Sequence, residues 1–237
     1  MYSFIYLDLF YSNLVEDSWL LLQEMAISSI IFDFDGTLTP LNLNFDILKA
    51  EILKIARAYV REEKIKESDG FYVIETIYEL EKGLDTKGGE FVEKAFQRLK
   101  ELELEAARGK DLYPYTREIL SALKGKRIKL GIITRSCMDV LKCVFPDIHE
   151  YMDGVTTREH IRLVKPHPSH VTLALRILDS IPQEAMLVGD HPTDIIAGNL
   201  TGLITVGVLT GRTLREDFKS VGATHIVQDI RDIIYLI

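Results

Sequence analysis

The sequence is poor in cysteine and in positive charge, and each shortage excludes a class of protein. Its two cysteines, Cys137 and Cys143, form neither a disulfide framework nor a zinc-ligand pattern, which favours a reducing, cytoplasmic compartment. Its 28 basic residues are outnumbered by 36 acidic ones, and the formal net charge is −8. A nucleic-acid surface needs clustered basic residues, so we expect no nucleic-acid partner.

A recognisable secretory or membrane segment is also missing, although the first 24 residues are rich in aromatic and aliphatic side chains. A secretory signal begins with basic residues, and a membrane span needs about twenty apolar residues. Residues 1–24 contain no Lys or Arg, and four acids interrupt them. We expect no membrane partner and interpret Met25 as the natural start, with residues 1–24 as a non-native extension. The alternative is an amphipathic segment that docks on the domain or on a partner.

The most informative stretch is the apolar run Ile30-Ile31-Phe32, which ends in Asp33-Phe34-Asp35-Gly36-Thr37. Continuous apolar runs are typical of buried parallel strands, whose carboxyl ends carry the ligands in open α/β sheets. Residues i and i+2 of a strand face the same way, so two carboxylates would crowd each other. Such crowding requires a cation or a shared proton, unless the stretch is only a solvated turn.

Two later apolar runs also end in polar residues. The first, at 128–133, leads into Thr134, and the second, at 185–188, leads into Asp190 and Asp194. If the three strands are parallel neighbours, these side chains gather at one edge of the sheet. Between the two runs, Lys165 lies among turn residues before a helical segment. Acids, a hydroxyl and a lysine at one edge indicate a magnesium-assisted phosphate site.

Four motifs in this order resemble the haloacid dehalogenase superfamily. They are Asp33-Phe34-Asp35-Gly36-Thr37-Leu38, the post-strand Thr134, Lys165-Pro166, and Gly189-Asp190 with Asp194. The closest likeness is to its phosphatase branch with a helical cap, as in phosphoglycolate phosphatase and β-phosphoglucomutase, and it runs from about residue 25 to the C-terminus. The resemblance implies a Rossmann-like three-layer core and aspartyl-phosphate chemistry.

The resemblance also implies a role for each motif residue. Asp33 would be the nucleophile, and Asp35 the general acid and then the base. Thr134, the amide of Arg135 and Lys165 would hold the phosphoryl group. Mg²⁺ would be bound by Asp33, Asp35 through its carbonyl, Asp190 and Asp194, the last directly or through water. The Arg135 side chain either contacts a substrate carboxylate or second phosphate, or pairs with an acid.

Residues 41–110 have helical periodicity and no strand pattern. Apolar residues recur at three- and four-residue steps over about 45–59, 71–81 and 92–106, with breaks at 68–70 and 88–89. We interpret this segment as a helical bundle inserted into the α/β chain. In the resembling family this position holds a cap that covers the site and selects the substrate; the alternative is a bundle without substrate contact.

Residues 111–237 return to alternating strands and helices, including a short strand within 151–155. This alternation predicts right-handed crossovers and a parallel sheet covered by helices on both faces. The expected domains are therefore an α/β core, residues 25–40 and 111–237, and a helical cap, residues 41–110.

The function that these features predict is a Mg²⁺-dependent phosphatase of a small phosphorylated metabolite, with phosphoglycolate as the first substrate to test. A sugar-phosphate mutase shares every core residue and is the nearest alternative. A signalling module switched by phosphorylation is an alternative of another class, because receiver domains also store an aspartyl phosphate. We expect a monomer or homodimer.

Overall fold

The computed structural model describes residues 27–237. The expectations for residues 1–24, and for a first strand that opens at Met25, fall outside the described residues. None of the helices within 27–237 is long and apolar enough to cross a bilayer.

Six parallel strands form the sheet, in the order β3-β2-β1-β4-β5-β6. Phe32 of β1 pairs with Ile132 of β2 on one side and with Val188 of β4 on the other. The three apolar runs are thus neighbours at the centre of the sheet, which confirms the predicted α/β fold. The strands are β1 Ser29–Phe32, β2 Lys129–Ile133, β3 Gly154–Thr156, β4 Ala185–Gly189, β5 Ile204–Val208 and β6 His225–Val227.

Helices cover both faces of the sheet because successive strand residues point to opposite sides. Ile30 and Phe32 of β1 belong to one hydrophobic cluster, whereas Ile31 between them belongs to another. The first cluster includes residues of α5 and α6, and the second includes residues of α8 and α9. These core helices are α5 Thr116–Gly125, α6 Met138–Val144, α7 Ile148–Tyr151, α8 Pro168–Ile177, α9 Pro192–Thr201 and α10 Arg215–Ser220, followed by a 3₁₀ helix at Ile230–Tyr235.

Four α-helices and a 3₁₀ helix at Asp85–Lys87 lie within residues 41–110, where the sequence predicts an inserted bundle. We refer to residues 41–110 as the helical insertion. It has its own hydrophobic cluster, with Ile52, Ile77 and Phe91 fully buried. The separate cluster supports the predicted domain boundaries near residues 40 and 110, which stay a prediction. The helices are α1 Phe45–Ala56, α2 Glu62–Glu67, α3 Val73–Glu81 and α4 Gly88–Ala107.

Several element boundaries differ from the sequence expectation. Helix α4 begins at Gly88, so the glycine pair expected as a break forms its first turn. Helix α2 was not expected, because it is short and Ile65 is its single buried residue. The strand expected within 151–155 begins only at Gly154, since residues 148–151 form a helical turn.

Because the insertion and the core have separate hydrophobic clusters, we expect a cavity in one part to lower the local stability of that part alone. Ile52→Ala in the insertion and Leu120→Ala in the core each remove a fully buried side chain, and each should cost about 2–5 kcal/mol of local stability. In hydrogen-exchange mass spectrometry, we expect Ile52→Ala to speed exchange in α1–α4 while β1 and β4 stay protected. Leu120→Ala is the matched control and should do the reverse. Equal acceleration in both parts by either variant would contradict the two-domain division.

Candidate active site

The predicted site residues meet at one cavity, at the edge of the sheet where strands β1, β2 and β4 end. The cavity has a volume of about 420 Å³. Helices α1, α3 and α4 and the loop after α2 form its opposite wall. All the residues expected from sequence line it, namely Asp33, Asp35, Thr134, Arg135, Lys165, Asp190 and Asp194.

Two glycines make room for the Asp190 carboxylate. A Cβ on Gly36 would lie 2.1 Å from one Asp190 oxygen, and a Cβ on Gly211 would lie 1.9 Å from the same oxygen. Gly36 also has a φ of +91°, a conformation that other residues rarely adopt. Any side chain at either position would therefore displace the carboxylate, and the glycine after Asp35 is required by geometry.

Lys165 is the central cation of this edge. Its Nζ donates to Asp33 Oδ1 at 2.7 Å and to Asp194 Oδ1 at 2.5 Å, and its side chain is 2% exposed. Burial alone would lower the pKa of Lys165, but the charges of Asp194 and Asp33 outweigh it and raise that pKa above its ordinary value. The other Asp194 oxygen accepts from the backbone N–H of His191 at 3.1 Å. Lys165 thus holds two carboxylates in fixed orientations.

Within the described part of the chain, the negative charge of Asp190 has no cation directly bonded to it, whereas that of Asp33 has Lys165. It is 4% exposed, and the Thr37 hydroxyl is 3.5 Å from its Oδ1. Burial, followed by the charge of Asp33, raises the pKa of Asp190 to about 9. Burial likewise raises the pKa of Asp33 to about 6, against the opposing pull of Lys165. An acid that is buried without a cation of its own marks a place where a positive charge fits.

The donor set suits a hard divalent cation. Oxygens of Asp33, Asp190 and Asp194 all lie within 4.8 Å of one another, and carboxylate oxygens are the ligands that Mg²⁺ prefers. Since Asp194 is already engaged by Lys165 and by the His191 amide, Asp33 and Asp190 are the two carboxylates best placed to hold such an ion directly.

Asp35 has two partners that sequence reasoning missed. Lys110 Nζ donates to its Oδ1 at 2.6 Å, and the Ser136 hydroxyl donates to its Oδ2 at 2.9 Å. The Lys110 side chain is 5% exposed. Ser136 could have been found, because it follows Thr134 and Arg135 after β2. Lys110 is 75 residues from Asp35, at the end of the helical insertion, and no local pattern marks it.

Arg135 joins the core to the helical insertion. Its guanidinium binds both carboxylate oxygens of Glu75 in α3, at 2.9 and 2.5 Å, donates to the Lys165 carbonyl, and lies 5.0 Å from the Tyr72 ring centre. Of the two interpretations of Arg135, the pair with an acid is therefore the arrangement present. The adjacent Thr134 is buried, and its hydroxyl accepts from the Ser136 N–H at 3.0 Å.

A second buried ion pair lies behind the same loop. Arg158, which follows β3, donates to Glu103 of α4 at 2.7 Å and to the Arg135 carbonyl at 3.0 Å. Burial raises the pKa of Glu103 to about 7 despite this partner. The Arg158–Glu103 pair therefore fixes the loop that carries Thr134 and Arg135 against the helical insertion.

A family model described as haloacid dehalogenase-like hydrolase matches residues 30–208, which include every motif named above. The chain belongs to the haloacid dehalogenase-like hydrolase family, as its four motifs predict.

Three named proteins are similar to this chain. Pyrophosphatase PpaX of Bacillus cereus is 27% identical over 200 residues, which is 82% of this chain and 90% of that protein. A predicted phosphoglycolate phosphatase from Haemophilus somnus matches with a TM-score of 0.62 and 19% identity, over 91% of this chain and 99% of that one. A β-phosphoglucomutase from Clostridium difficile also gives 0.62 and 19%, over 89% and 95%. At such identities the two structures establish the fold alone.

The poorly compensated Asp190 leads to a prediction about stability and pH. Its pKa is about 9 in the folded protein against the ordinary aspartate value of 3.8, so the folded state binds more protons and loses stability as pH rises between these values. We expect Asp190→Asn to raise the free energy of unfolding of chelator-treated protein at pH 8 by ~2 kcal/mol. The gain should shrink toward pH 4, where the penalty is small. Denaturant titrations at both pH values measure it.

The matched control for this variant is Asp179→Asn, because the Asp179 side chain is fully exposed. We expect no pH-dependent change in its unfolding free energy. A loss of stability in Asp190→Asn at pH 8 would contradict the assignment of Asp190 as an uncompensated buried acid.

Proposed function

We propose that the protein is a Mg²⁺-dependent phosphatase that hydrolyses the phosphomonoester of a small metabolite through an aspartyl phosphate on Asp33. The observation that carries the proposal is the pair of separately held acids at the cavity: Lys165 positions Asp33, and Lys110 with Ser136 positions Asp35. Two acids with different partners can take different roles, one as nucleophile and one as acid and base. Phosphoglycolate is the first substrate expected from the sequence.

The first half-reaction follows from the hydrogen bonds of Asp33. Lys165 donates to Oδ1 of Asp33 and so holds the carboxylate in place while one of its oxygens attacks phosphorus. The new Asp33–phosphorus bond forms as the bond from phosphorus to the ester oxygen breaks, and protonated Asp35 gives its proton to the departing alcohol oxygen. The Lys165 ammonium faces the growing negative charge.

The second half-reaction releases phosphate. Asp35, now a carboxylate held by Lys110 and Ser136, takes a proton from water as that water attacks the phosphorus of the aspartyl phosphate. Inorganic phosphate leaves, the Asp33 carboxylate is restored, and Asp35 is again protonated. The Thr134 hydroxyl and the Arg135 backbone N–H would orient the phosphoryl oxygens throughout.

Asp33, the Asp35 carbonyl and Asp190 would hold the Mg²⁺ ion, with Asp194 contributing at most through water because Lys165 and the His191 amide engage its oxygens. When bound, the ion supplies positive charge for the phosphoryl oxygens. We expect no nucleic-acid or membrane partner, a cytoplasmic location, and a monomeric or homodimeric state. These expectations stay predictions.

The mutase alternative is kept because a similar structure is named a β-phosphoglucomutase. A mutase returns the phosphoryl group to its product, so dependence on a bisphosphate activator would favour it over hydrolysis. A long-lived phosphoenzyme without turnover would favour the signalling alternative instead.

One assay tests both the role of Asp33 as nucleophile and the dependence on Mg²⁺. We expect Asp33→Asn to lower phosphate release from the best ester by ~10³-fold or more, and we expect chelator to do the same to the wild type until Mg²⁺ is restored. Phosphate release from a panel of esters, including phosphoglycolate and p-nitrophenyl phosphate, is the measurement. Asp179→Asn again serves as the control and should retain wild-type turnover. Undiminished release in chelator would overturn Mg²⁺ dependence.

Lys110 generates a second kinetic prediction. Lys110→Met removes the ammonium that orients Asp35 while keeping an unbranched side chain, so we expect kcat to fall by ~10–100-fold with little change in KM. Lys110→Arg retains the charge and should recover part of the loss. A variant that changes KM alone would show that Lys110 contacts substrate and does not position Asp35.

A further inference from the structure

The cavity extends well beyond the acids that would perform the chemistry. Its volume of about 420 Å³ lies within the range of roughly 300–1,000 Å³ that is usual for small-molecule pockets. The catalytic edge occupies one end, and the helical insertion lines the other, where the alcohol part of a phosphate ester would lie. The residues at that end therefore decide which alcohol fits.

All three N–H donors of Lys49, the lysine at that end of the cavity, are used within the protein. Lys49 of α1 lines the cavity, and its Nζ donates to the carbonyls of Ser68, Asp69 and Phe71 at 3.1, 2.7 and 2.9 Å. An ammonium group has three N–H donors, so all three are used. Lys49 fastens the loop after α2 and would have to release it in order to bind a substrate anion.

The other two cations that line the cavity are also paired. Glu75 holds Arg135 through two hydrogen bonds, and Lys165 is shared between Asp33 and Asp194. Within residues 27–237, then, every Lys and Arg that lines this cavity already has its partners. Lys165 keeps one N–H donor for the transferred phosphoryl group, and a substrate carboxylate or second phosphate would have to compete with Glu75 for the charge of Arg135.

The acids in the same wall also disfavour an anionic group on the alcohol part of the substrate. Asp46, Asp69 and Glu103 line the cavity. Glu103 is 4% exposed, and although one of its oxygens pairs with Arg158, the other is buried without a hydrogen-bond partner. Like charges repel more strongly where water is scarce. An anionic alcohol group would thus meet carboxylates, and it would have to compete with Glu75 for Arg135 or with three carbonyls for Lys49.

Apolar surface is what this wall offers instead. Phe45, Phe71 and Tyr72 line the cavity and are 48%, 43% and 50% exposed, with Leu41, Leu43 and Leu48 beside them. Single exposed apolar residues are ordinary, but a contiguous group that continues into a catalytic cavity indicates a binding surface. Covering these aromatic rings would remove apolar area from water.

We propose that the substrate is a phosphomonoester of a neutral alcohol with an aromatic or aliphatic group, and that this group lies against Phe45, Phe71 and Tyr72. The inference rests on the proposed phosphatase function and narrows its substrate class. It ranks neutral apolar esters above phosphoglycolate and above pyrophosphate, whose leaving groups are anionic. For benzyl phosphate, water supplies the oxygen and proton, and the products are benzyl alcohol and inorganic phosphate.

The test compares esters that differ in the charge of the leaving group. Benzyl phosphate and phosphoglycolate are both primary alkyl esters, and pyrophosphate and methyl phosphate complete the set. With the full chain and saturating Mg²⁺, we expect kcat/KM for benzyl phosphate to exceed those for phosphoglycolate and pyrophosphate by ~10-fold or more. If phosphoglycolate or pyrophosphate is the better substrate, the neutral-alcohol inference is overturned while the phosphatase function stands.

Two variants locate the preference in the wall of the cavity. Phe45→Ala should lower the ratio of kcat/KM for benzyl phosphate over methyl phosphate by ~10-fold. Tyr235→Ala, an aromatic truncation at a side chain that is 85% exposed and outside the cavity lining, is the control and should leave that ratio unchanged. Glu75→Gln frees Arg135 and should raise the relative kcat/KM for phosphoglycolate several-fold. An unchanged ratio in Phe45→Ala would contradict contact with Phe45.

A binding measurement separates the failure of this inference from the failure of the proposed function. If no ester in the set releases phosphate, the phosphatase proposal fails. Calorimetric titration with benzylphosphonate and phosphonoacetate, in the presence of Mg²⁺, then compares the two leaving-group types without turnover. Tighter binding of benzylphosphonate supports the apolar alcohol site, and equal or tighter binding of phosphonoacetate overturns it.

Discussion

The contact on which the acidic edge depends is the buried ammonium of Lys165, held between Asp33 and Asp194. Three carboxylates approach one another within 4.8 Å, two of them directly after β1 and β4 and the third in the first turn of α9, and such a group is unstable unless charges of the opposite sign balance it. Lys165 balances two of them. Removal of one partner from a buried pair generally costs ~3–5 kcal/mol, so this lysine is a structural requirement before it is a chemical one. The third acid, Asp190, is the remaining source of attraction for a cation.

Ion pairs also tie the helical insertion to the core, although the hydrophobic clusters of the two parts are separate. Glu75 of α3 binds Arg135, Glu103 of α4 binds Arg158, and Lys110 binds Asp35. Asp35 and Arg135 line the cavity, and Arg158 contacts the loop after β2 through the Arg135 carbonyl. A shift of the insertion would therefore change the surroundings of the residues proposed for catalysis as well as the space above them. Apolar contacts also join the two parts, because Val164 of the core belongs to the cluster of the insertion and Ala107 of α4 belongs to a cluster of the sheet.

The sequence was sufficient to predict the sheet and the acidic site, because both depend on patterns of neighbouring residues. An apolar run followed by Asp33, Thr134 or Asp190 identifies a buried strand and the residue at its carboxyl end, and parallel strands bring those ends together. Helix limits were less accurate, as at Gly88, because glycine weakens a helix without forbidding it at the first turn. Lys110 and Glu75 could not be predicted. They lie 75 and 60 residues from their partners, and only the folded chain pairs them.

The separation of the two hydrophobic clusters has an evolutionary consequence. Apart from Val164, which joins the cluster of the insertion, and Ala107, which joins a cluster of the sheet, the buried apolar residues of each part belong to its own clusters. Substitutions at the aromatic wall can therefore accumulate without repacking the strands that carry Asp33 and Asp190. A lineage that keeps the acidic edge fixed can change its preferred alcohol through substitutions in the helical insertion alone, so proteins of similar sequence need not share a substrate.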